Sequence, residues 1–458
     1  MDQVTTMRSH DDLENGVVVP SSRLMVAVCA SVAIASTSWS QTTNVNSPPS
    51  ANSIVELERA IVGHVRQSDV NARRWSQSDL IEAGRRLFVA SFTTADGVGR
   101  PAALANSVPR HRPRTSGNPF VRTAGPDANA CASCHHGPNI GGAGDFSSNA
   151  FVGLGELNPT KFTVEQSYSN ERGTPDLHGS GIIELLAREI TADLQRQRDL
   201  GIHSARQTQQ TQTVTLRSKA ISFGSIQIAP DGEINFDAIE GIDHDLVIRP
   251  WGSKGTVVSI RDFTIFAANL HHGMQADERF GIEETGESDF DDDGVTQELT
   301  RGDITALTLF QATLNLPGRV IPSDKLMQAE IDRGEQVFAE SACIDCHVPA
   351  LPLDSAIFTE PSALNITGTL QLQDVDAPVS IDLESTSAPT IQRSEDNRIW
   401  VRLFTDFKRH TIADHKRPHF GNETVVQRRI DTDQFVTRRL WSVGNTAPYG
   451  HRGDVTTL

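Results

Sequence analysis

The sequence predicts a mainly α protein of two similar helical domains with a small inserted β segment. Three observations carry that expectation. The pentad Cys-x-x-Cys-His occurs twice, as Cys131-Ala-Ser-Cys134-His135 and as Cys343-Ile-Asp-Cys346-His347. Upstream of each lies a related amphipathic segment, Glu82-Ala-Gly84-Arg-Arg-Leu87-Phe88 being echoed by Asp332-Arg-Gly334-Glu-Gln-Val337-Phe338 at matching spacing. Between the pentads, apolar residues recur at helical spacing on both sides of one stretch in which they alternate with polar ones.

In chain order, the apolar run Leu24 to Ala35 is too short to span a bilayer and ends in Ala33-Ile34-Ala35, so residues 1–35 read as a signal peptide cleaved before Ser36. Cys29, the one cysteine outside the pentads, lies within it. Residues 36–70 read as a flexible lead-in, its first part polar and Pro-containing. The first domain is expected over 71–320. Leu80, Ile81, Leu87 and Phe88 make one helix face there, and Gly84 allows close approach of another helix or of a cofactor. Val98 to Pro126, rich in Pro, Arg and Gly, reads as an inserted loop. A helix is expected from Ile182 to Leu200, where Leu185, Leu186, Ile190 and Leu194 recur. The β insertion, near 207–257, has expected strands at Thr213 to Ser218, Ser222 to Ala229 and Asp245 to Pro250 around the turn Pro230-Asp-Gly232. Helix returns at Ile260 to His271 and at Leu299 to Leu316, and Pro317-Gly318 leads into the second domain, 321–458.

The pentad has a chemical reason. Two thiols one helical turn apart can each add to a haem vinyl group, and the adjacent His then reaches the iron. Two covalently bound haem c groups are therefore expected, held by Cys131, Cys134 and His135 and by Cys343, Cys346 and His347, in two cytochrome c-like domains. A redox disulfide pair or a split zinc site is the alternative, but neither requires a His after the second Cys in both copies. Because bacterial haem c is attached outside the cytoplasm, the signal peptide and the pentads together point to the periplasm.

Further segments resemble one family. They are Arg172-Gly-Thr-Pro175, Gly179-Ser-Gly-Ile-Ile-Glu-Leu-Leu-Ala-Arg188, Asn269-Leu-His271-His272-Gly-Met274-Gln, and Leu440-Trp441-Ser-Val-Gly444 before Pro448-Tyr449-Gly-His451. With the pentads they make residues 78–458 similar to the di-haem oxidoreductases related to bacterial di-haem cytochrome c peroxidases and to the tryptophan-modifying di-haem enzymes. The resemblance implies electron passage between haems in separate domains. It places His451 near the second haem. It also implies that the distal ligand of that haem falls beyond Leu458, so the C-terminus is expected to be truncated.

An iron with an open face could bind peroxide, and the distal side is therefore the question. Candidates are His178, His271, His272 and Met274 for the first haem, and His410, His415, His419 and His451 for the second; each could equally be a packed or surface residue. Glu184 and Glu189 are the candidate proton-transfer acids, the alternative being a solvated helix face paired with Arg188 or Arg196. Trp441 or Trp400 could relay electrons or pack the core. Asp289-Phe-Asp291-Asp-Asp293-Gly294 forms the first half of a calcium loop, but Thr300 stands where the closing ligand belongs and Glu298 comes two residues early, so a solvated acidic turn is the alternative.

The chain has 458 residues, 37% of them hydrophobic, enough for a sizeable core. Its formal charge of −17 argues against nucleic acid and would attract a small electron-transfer protein such as a basic cytochrome, the alternative being solubility alone. The expected activity is peroxidase-type reduction of hydrogen peroxide, or oxidation of another substrate, at one haem. The alternatives are a pure electron-transfer cytochrome and an oxidase of a protein side chain.

Overall fold

A computed structural model describes residues 59–99, 128–144, 147–151, 169–291, 293–386, 391–395, 397–412, 423, 426–453 and 455–457. The expected signal peptide lies outside them, as do His415, His419 and most of the Val98 to Pro126 loop. Residues 56–458 form one compact unit that holds both pentads.

The helices start where their capping chemistry dictates. After the short α1 (Gln67–Asn71), α2 (Gln77–Val89) is capped by the Ser76 hydroxyl, which accepts from Asp79 N–H. The first pentad supplies the single turn α3 (Cys131–Cys134). Strands β1 (Ser147–Phe151) and β2 (Ser169–Gly173) pair antiparallel and lead to α4 (Ser180–Thr208). The expected helix over Ile182 to Leu200 is present and longer, with Ile183, Leu186, Ile190 and Leu194 buried. The inserted sheet has the order β3 (Gln212–Ser218), β4 (Ile221–Ile228), β5 (Ile234–Asn235), with Gly232 turning the chain at φ +96° between the last two. Asp245 to Pro250, expected as a strand, is irregular; Asp245 instead folds onto Arg249 and onto its own backbone at Val247. Next come α5 (Ile260–Ala267), a π turn over Ala268–His272, α6 (Asp277–Phe280), α7 (Ile282–Thr285), and α8 (Arg301–Ala312) under a Thr300–Asp303 capping box. Asp324 caps α9 (Lys325–Glu340), which runs into the second pentad.

Beyond that pentad, the mainly α expectation is corrected. Strands β6 (Leu351–Leu353), β7 (Ile357–Glu360), β8 (Val379–Asp382), β9 (Gln392–Arg393), β10 (Ile399–Val401), β11 (Arg409–Thr411) and β12 (Gln434–Val436) follow, with the short helix α10 (Leu383–Thr386) between β8 and β9 and 3-10 turns at Leu372–Asp374 and Val443–Asn445. Among the described residues the strands make five small antiparallel sheets. Strands of two to four residues are too short to show a period of two, and their partners lie far along the chain, as with Leu353 and Ile399. Nor does the core divide at residue 320: one apolar cluster runs from Ile61 through α2, α4 and α8 to Leu351, Phe358, Ile399 and Phe407.

Two details set the packing. A Cβ on Gly84 would run into the Ala306 carbonyl, so α2 and α8 cross in close contact. Part of the expected lead-in is also packed: Ile61, Val65 and Val70 are buried, and Asp303 accepts from Val65 N–H and meets His64 Nδ1 at 2.6 Å. Among the described residues, no helix is long and apolar enough to cross a membrane.

Arg261 is wholly buried, 2.9 Å from Glu278 and 2.8 Å from Glu360. Arg261→Met should lower unfolding free energy by about 3–5 kcal/mol, because two buried carboxylates lose their cation; an unchanged urea midpoint would refute the role given to it. Asp262 behaves differently. Burial, with Glu184 beside it, pushes its carboxyl up to about 7. The folded state therefore binds this proton more tightly than the unfolded one, and the resulting stability is full below the ordinary carboxylate range and lost as pH rises towards 7. Asp262→Asn should flatten stability between pH 4 and about 7, measured by urea unfolding across that range.

Candidate functional site

Each pentad is built on the same local plan. In the first, α3 sets Cys131 and Cys134 one turn apart, neither of them in a disulfide. His135 follows at the C-cap, its Nδ1 3.0 Å from Pro175 O and 3.2 Å from Gly142 O. In the second, Cys343 and Cys346 are likewise in no disulfide, and His347 Nδ1 lies 2.9 Å from Phe404 O. A ring N–H donated to a backbone carbonyl fixes the tautomer and leaves Nε2 to bind a metal. The repeated segments contribute as well. Phe88 of α2 stands 6.2 Å from the His135 ring at 49°, and Phe338 of α9 stands 6.1 Å from the His347 ring at 56°.

Around the first pentad, burial pulls the His135 imidazole down to about 4 and pushes the Cys131 thiol up to about 12. Both groups are thus neutral at pH 7. His271 lies near enough to His135 to add to its shift, but it is His272 that meets the pentad. His272 Nδ1 donates to Ala128 O at 2.7 Å, which turns Nε2 towards Cys131 Sγ at 3.6 Å. Met274 is buried in the apolar core. His178 is buried and held by Asp176, whose Oδ1 lies 2.6 Å from its Nδ1. Burial alone would raise Asp176, yet hydrogen bonds from His178 and Ser442 hold its carboxyl below the ordinary value.

The second pentad opens on a cavity of about 630 Å³. Cys343, Cys346, His347, Arg438, Arg439, Trp441, Tyr449 and His451 are all in its lining. His451 stacks on Phe435, centroids 4.4 Å apart, and the Lys254 ammonium sits 3.9 Å over the same Phe435 ring. Burial, with Arg439 and Arg172 nearby, lowers the Arg438 guanidinium to about 10. Arg439 Nε and Nη2 are buried without a hydrogen-bond partner among the described residues. These residues fit a haem c: Cys343 and Cys346 could form the thioethers, His347 could take the iron, and the half-buried Arg438 and Arg439 could offset the charge of the propionates. The first pentad offers the same donor set in Cys131, Cys134 and His135.

His410 also lies at this cavity. Its Nδ1 is 3.8 Å from Cys346 Sγ, and its Nε2 is held by Asp406 Oδ2 at 2.7 Å. The loop that leads into its strand, β11, is strained, with Phe404 and Phe407 in the left-handed region at φ +56° and +58°. The inserted sheet braces it: Arg409 N–H donates to Gly241 O at 2.9 Å, and Lys408 Nζ reaches Ser222 O at 3.0 Å and Glu240 at 2.7 Å.

The two candidate acids are committed elsewhere. Glu184 accepts from Arg188 at 2.6 Å and from Ile260 N–H at 2.7 Å, while Glu189 pairs with Lys219 at 2.6 Å and accepts from Asp354 N–H. Trp441 packs against Gly179 and lines the cavity, whereas Trp400 sits on the surface strand β10. Carboxylate oxygens of Asp289, Asp291 and Asp293 lie within 4.8 Å of one another. Glu298 is turned away to accept from Gln275 N–H, and Thr300 caps α8.

One segment touches both sites. Pro175 presents its carbonyl to His135, while Gly173, Thr174, Pro175 and Asp176 line the cavity beside Cys343 and His347. No protein-family model matches the chain, and no curated protein matches it at a significant level.

If the inserted sheet holds the strained loop in place, Lys408→Met should speed amide hydrogen exchange over Thr405 to His410 and leave Cys131 to His135 unchanged. Mass spectrometry of exchange in the two segments checks this, and equal protection in variant and parent would count against the bracing role.

Proposed function

We propose that this chain is a di-haem c oxidoreductase that passes electrons between two covalently held haems and reduces peroxide at one of them. The observation that carries the reading is the shared segment, Gly173 to Asp176, in which one carbonyl orients His135 and neighbouring atoms wall the cavity of the second pentad. When bound, the haems supply one-electron redox chemistry and an iron that can take a peroxide. The chain's own residues do the rest. Cys131, Cys134, Cys343 and Cys346 hold by thioether, and the Nδ1–H donors of His135 and His347 aim the other ring nitrogen. Arg438 and Arg439 offset carboxylate charge, and Asp176 keeps His178 in one orientation.

The proposed setting is the periplasm, with a small basic redox protein as partner. The acidic balance of the chain, 41 Lys and Arg against 58 Asp and Glu, supports that choice. A second reading, pure electron transfer without small-molecule chemistry, is favoured by one observation: Glu184 and Glu189 are both engaged in structural pairings.

Absorption and EPR spectra of the purified protein, oxidised and then reduced by one electron, decide between the two. A high-spin iron that reacts with hydrogen peroxide is expected. Two low-spin irons inert to peroxide would favour the carrier, and no covalent haem would refute both. Replacing Cys131 and Cys134 together by Ala should lower the haem count from two per chain to one, with the second site's spectrum retained.

A further inference from the structure

We propose that His272 and His410 are the bases that take the thiol proton as Cys131 and Cys346 form their thioethers, an inference that rests on the di-haem reading above. In each pentad a thiol meets an imidazole from far along the chain. Cys131 Sγ lies 3.6 Å from His272 Nε2, and Cys346 Sγ lies 3.8 Å from His410 Nδ1. The ring nitrogen differs between the sites, and so does the cysteine, which is the first of its pentad in one and the second in the other.

What the two sites share is the state of the ring. His272 Nδ1 lies 2.7 Å from the Ala128 carbonyl oxygen, which can only accept, so the proton of the neutral ring sits on Nδ1 and Nε2 faces the sulfur as a bare acceptor. His410 is turned the other way. Asp406 Oδ2, 2.7 Å off, accepts from Nε2–H and leaves Nδ1 bare towards Cys346. The opposite tautomer in either ring would aim an N–H at the thiol and could receive nothing from it. Both arrangements are held in place: His272 is 3% exposed with the Phe92 ring 5.7 Å away at 63°, and Asp406, 2% exposed, fixes His410 on β11 opposite Phe435 of β12.

The thiolate is the nucleophile in cysteine chemistry, so the thiol proton has to leave as the sulfur attacks. The bare ring nitrogen takes it while the sulfur bonds to the inner carbon of a haem vinyl group, and the ring then returns it to the outer carbon. One S–H bond and one π bond are exchanged for one C–S and one C–H bond, and nothing is oxidised or reduced. A positioned base is worth about a hundredfold or more in rate, enough for a thiol deprived of it to lag behind its neighbour in the same pentad.

The full chain, exported from a bacterial host that attaches haem c, tests this by mass spectrometry of its peptides after denaturation and alkylation, which reads each cysteine as thioether or as thiol. The parent should carry thioethers at Cys131, Cys134, Cys343 and Cys346. His272→Gln and His410→Gln keep a hydrogen-bonding side chain at each place and remove the base. The first should leave Cys131 as an alkylated thiol with Cys134 still bonded, and the second should leave Cys346 alkylated with Cys343 still bonded, the other pentad being complete in each case. Asp406→Asn, which releases the His410 ring to present N–H to the sulfur, should free Cys346 in part. Complete attachment in both Gln variants would overturn the proposal and leave the di-haem reading intact. Loss of both thioethers of a pentad together would also overturn it, by making the ring a support of the site and not a base. A parent chain without any thioether would instead refute the reading on which the proposal rests.

Discussion

Arg261 is the charge around which the chain closes. Its guanidinium reaches Glu278 of α6, Glu360 of β7, and both the Arg301 carbonyl and the Thr305 hydroxyl of α8. Elements from both sides of residue 320 thus meet at one cation with no exposed surface. Burial works against that charge, and the net stability of such a cluster is modest because desolvation offsets the attraction. What it supplies is registry: only one relative placement of α5, α6, α8 and β7 gives the guanidinium its partners. Glu184 extends the constraint by capping Ile260 N–H at the start of α5. It thereby fixes the beginning of α4, where the chain emerges from the segment that both pentads share.

The two iron-binding candidates repeat a local design on unlike supports. Each His is backed by a Phe one helix away and fixed through Nδ1 by a carbonyl distant in sequence, Pro175 in one case and Phe404 in the other. The Phe404 carbonyl is aimed by a left-handed bulky residue, a conformation that persists only when neighbours over-determine it. Those neighbours belong to the inserted sheet, through Gly241, Ser222 and Glu240. The insertion, which interrupts the repeat in sequence, braces the second site in space.

The pentads and their upstream helices were legible because their chemistry is local: thiol spacing, an adjacent imidazole and an apolar face all lie within a few residues. The long helix at Ser180–Thr208 and the hairpin after Gln212 were legible by periodicity. Less could be read where partners are remote. His272 meets Cys131 across 141 residues and His410 meets Cys346 across 64, so neither stood out among the His candidates. Arg438 and Arg439 belong to no motif, and only the fold, just after β12, brings them to a cavity wall. Glu184 and Glu189 illustrate the converse error available to sequence reasoning. An acid beside a motif suggests proton transfer, while in the fold the same acids terminate a helix and tie down a turn.

The segment from Gly173 to Asp176 couples the two sites mechanically as well as spatially. Pro175 has a fixed φ and restricts Thr174 before it, so the approach of the chain to His135 is narrowed and ψ of Pro175 is the torsion left to aim the carbonyl. Asp176 then locks the next turn, accepting from His178 N–H at 2.8 Å while its Oδ1 also meets His178 Nδ1. Gly179, at φ +72°, leaves room for Trp441, which lines the cavity. A displacement that re-aimed the Pro175 carbonyl would therefore reshape the cavity wall. The converse also holds, because repacking Trp441 would press on Gly179 and the turn behind His135. The two sites are thus joined through one short segment, a stiff link of the kind that the proposed electron passage between two fixed centres would use.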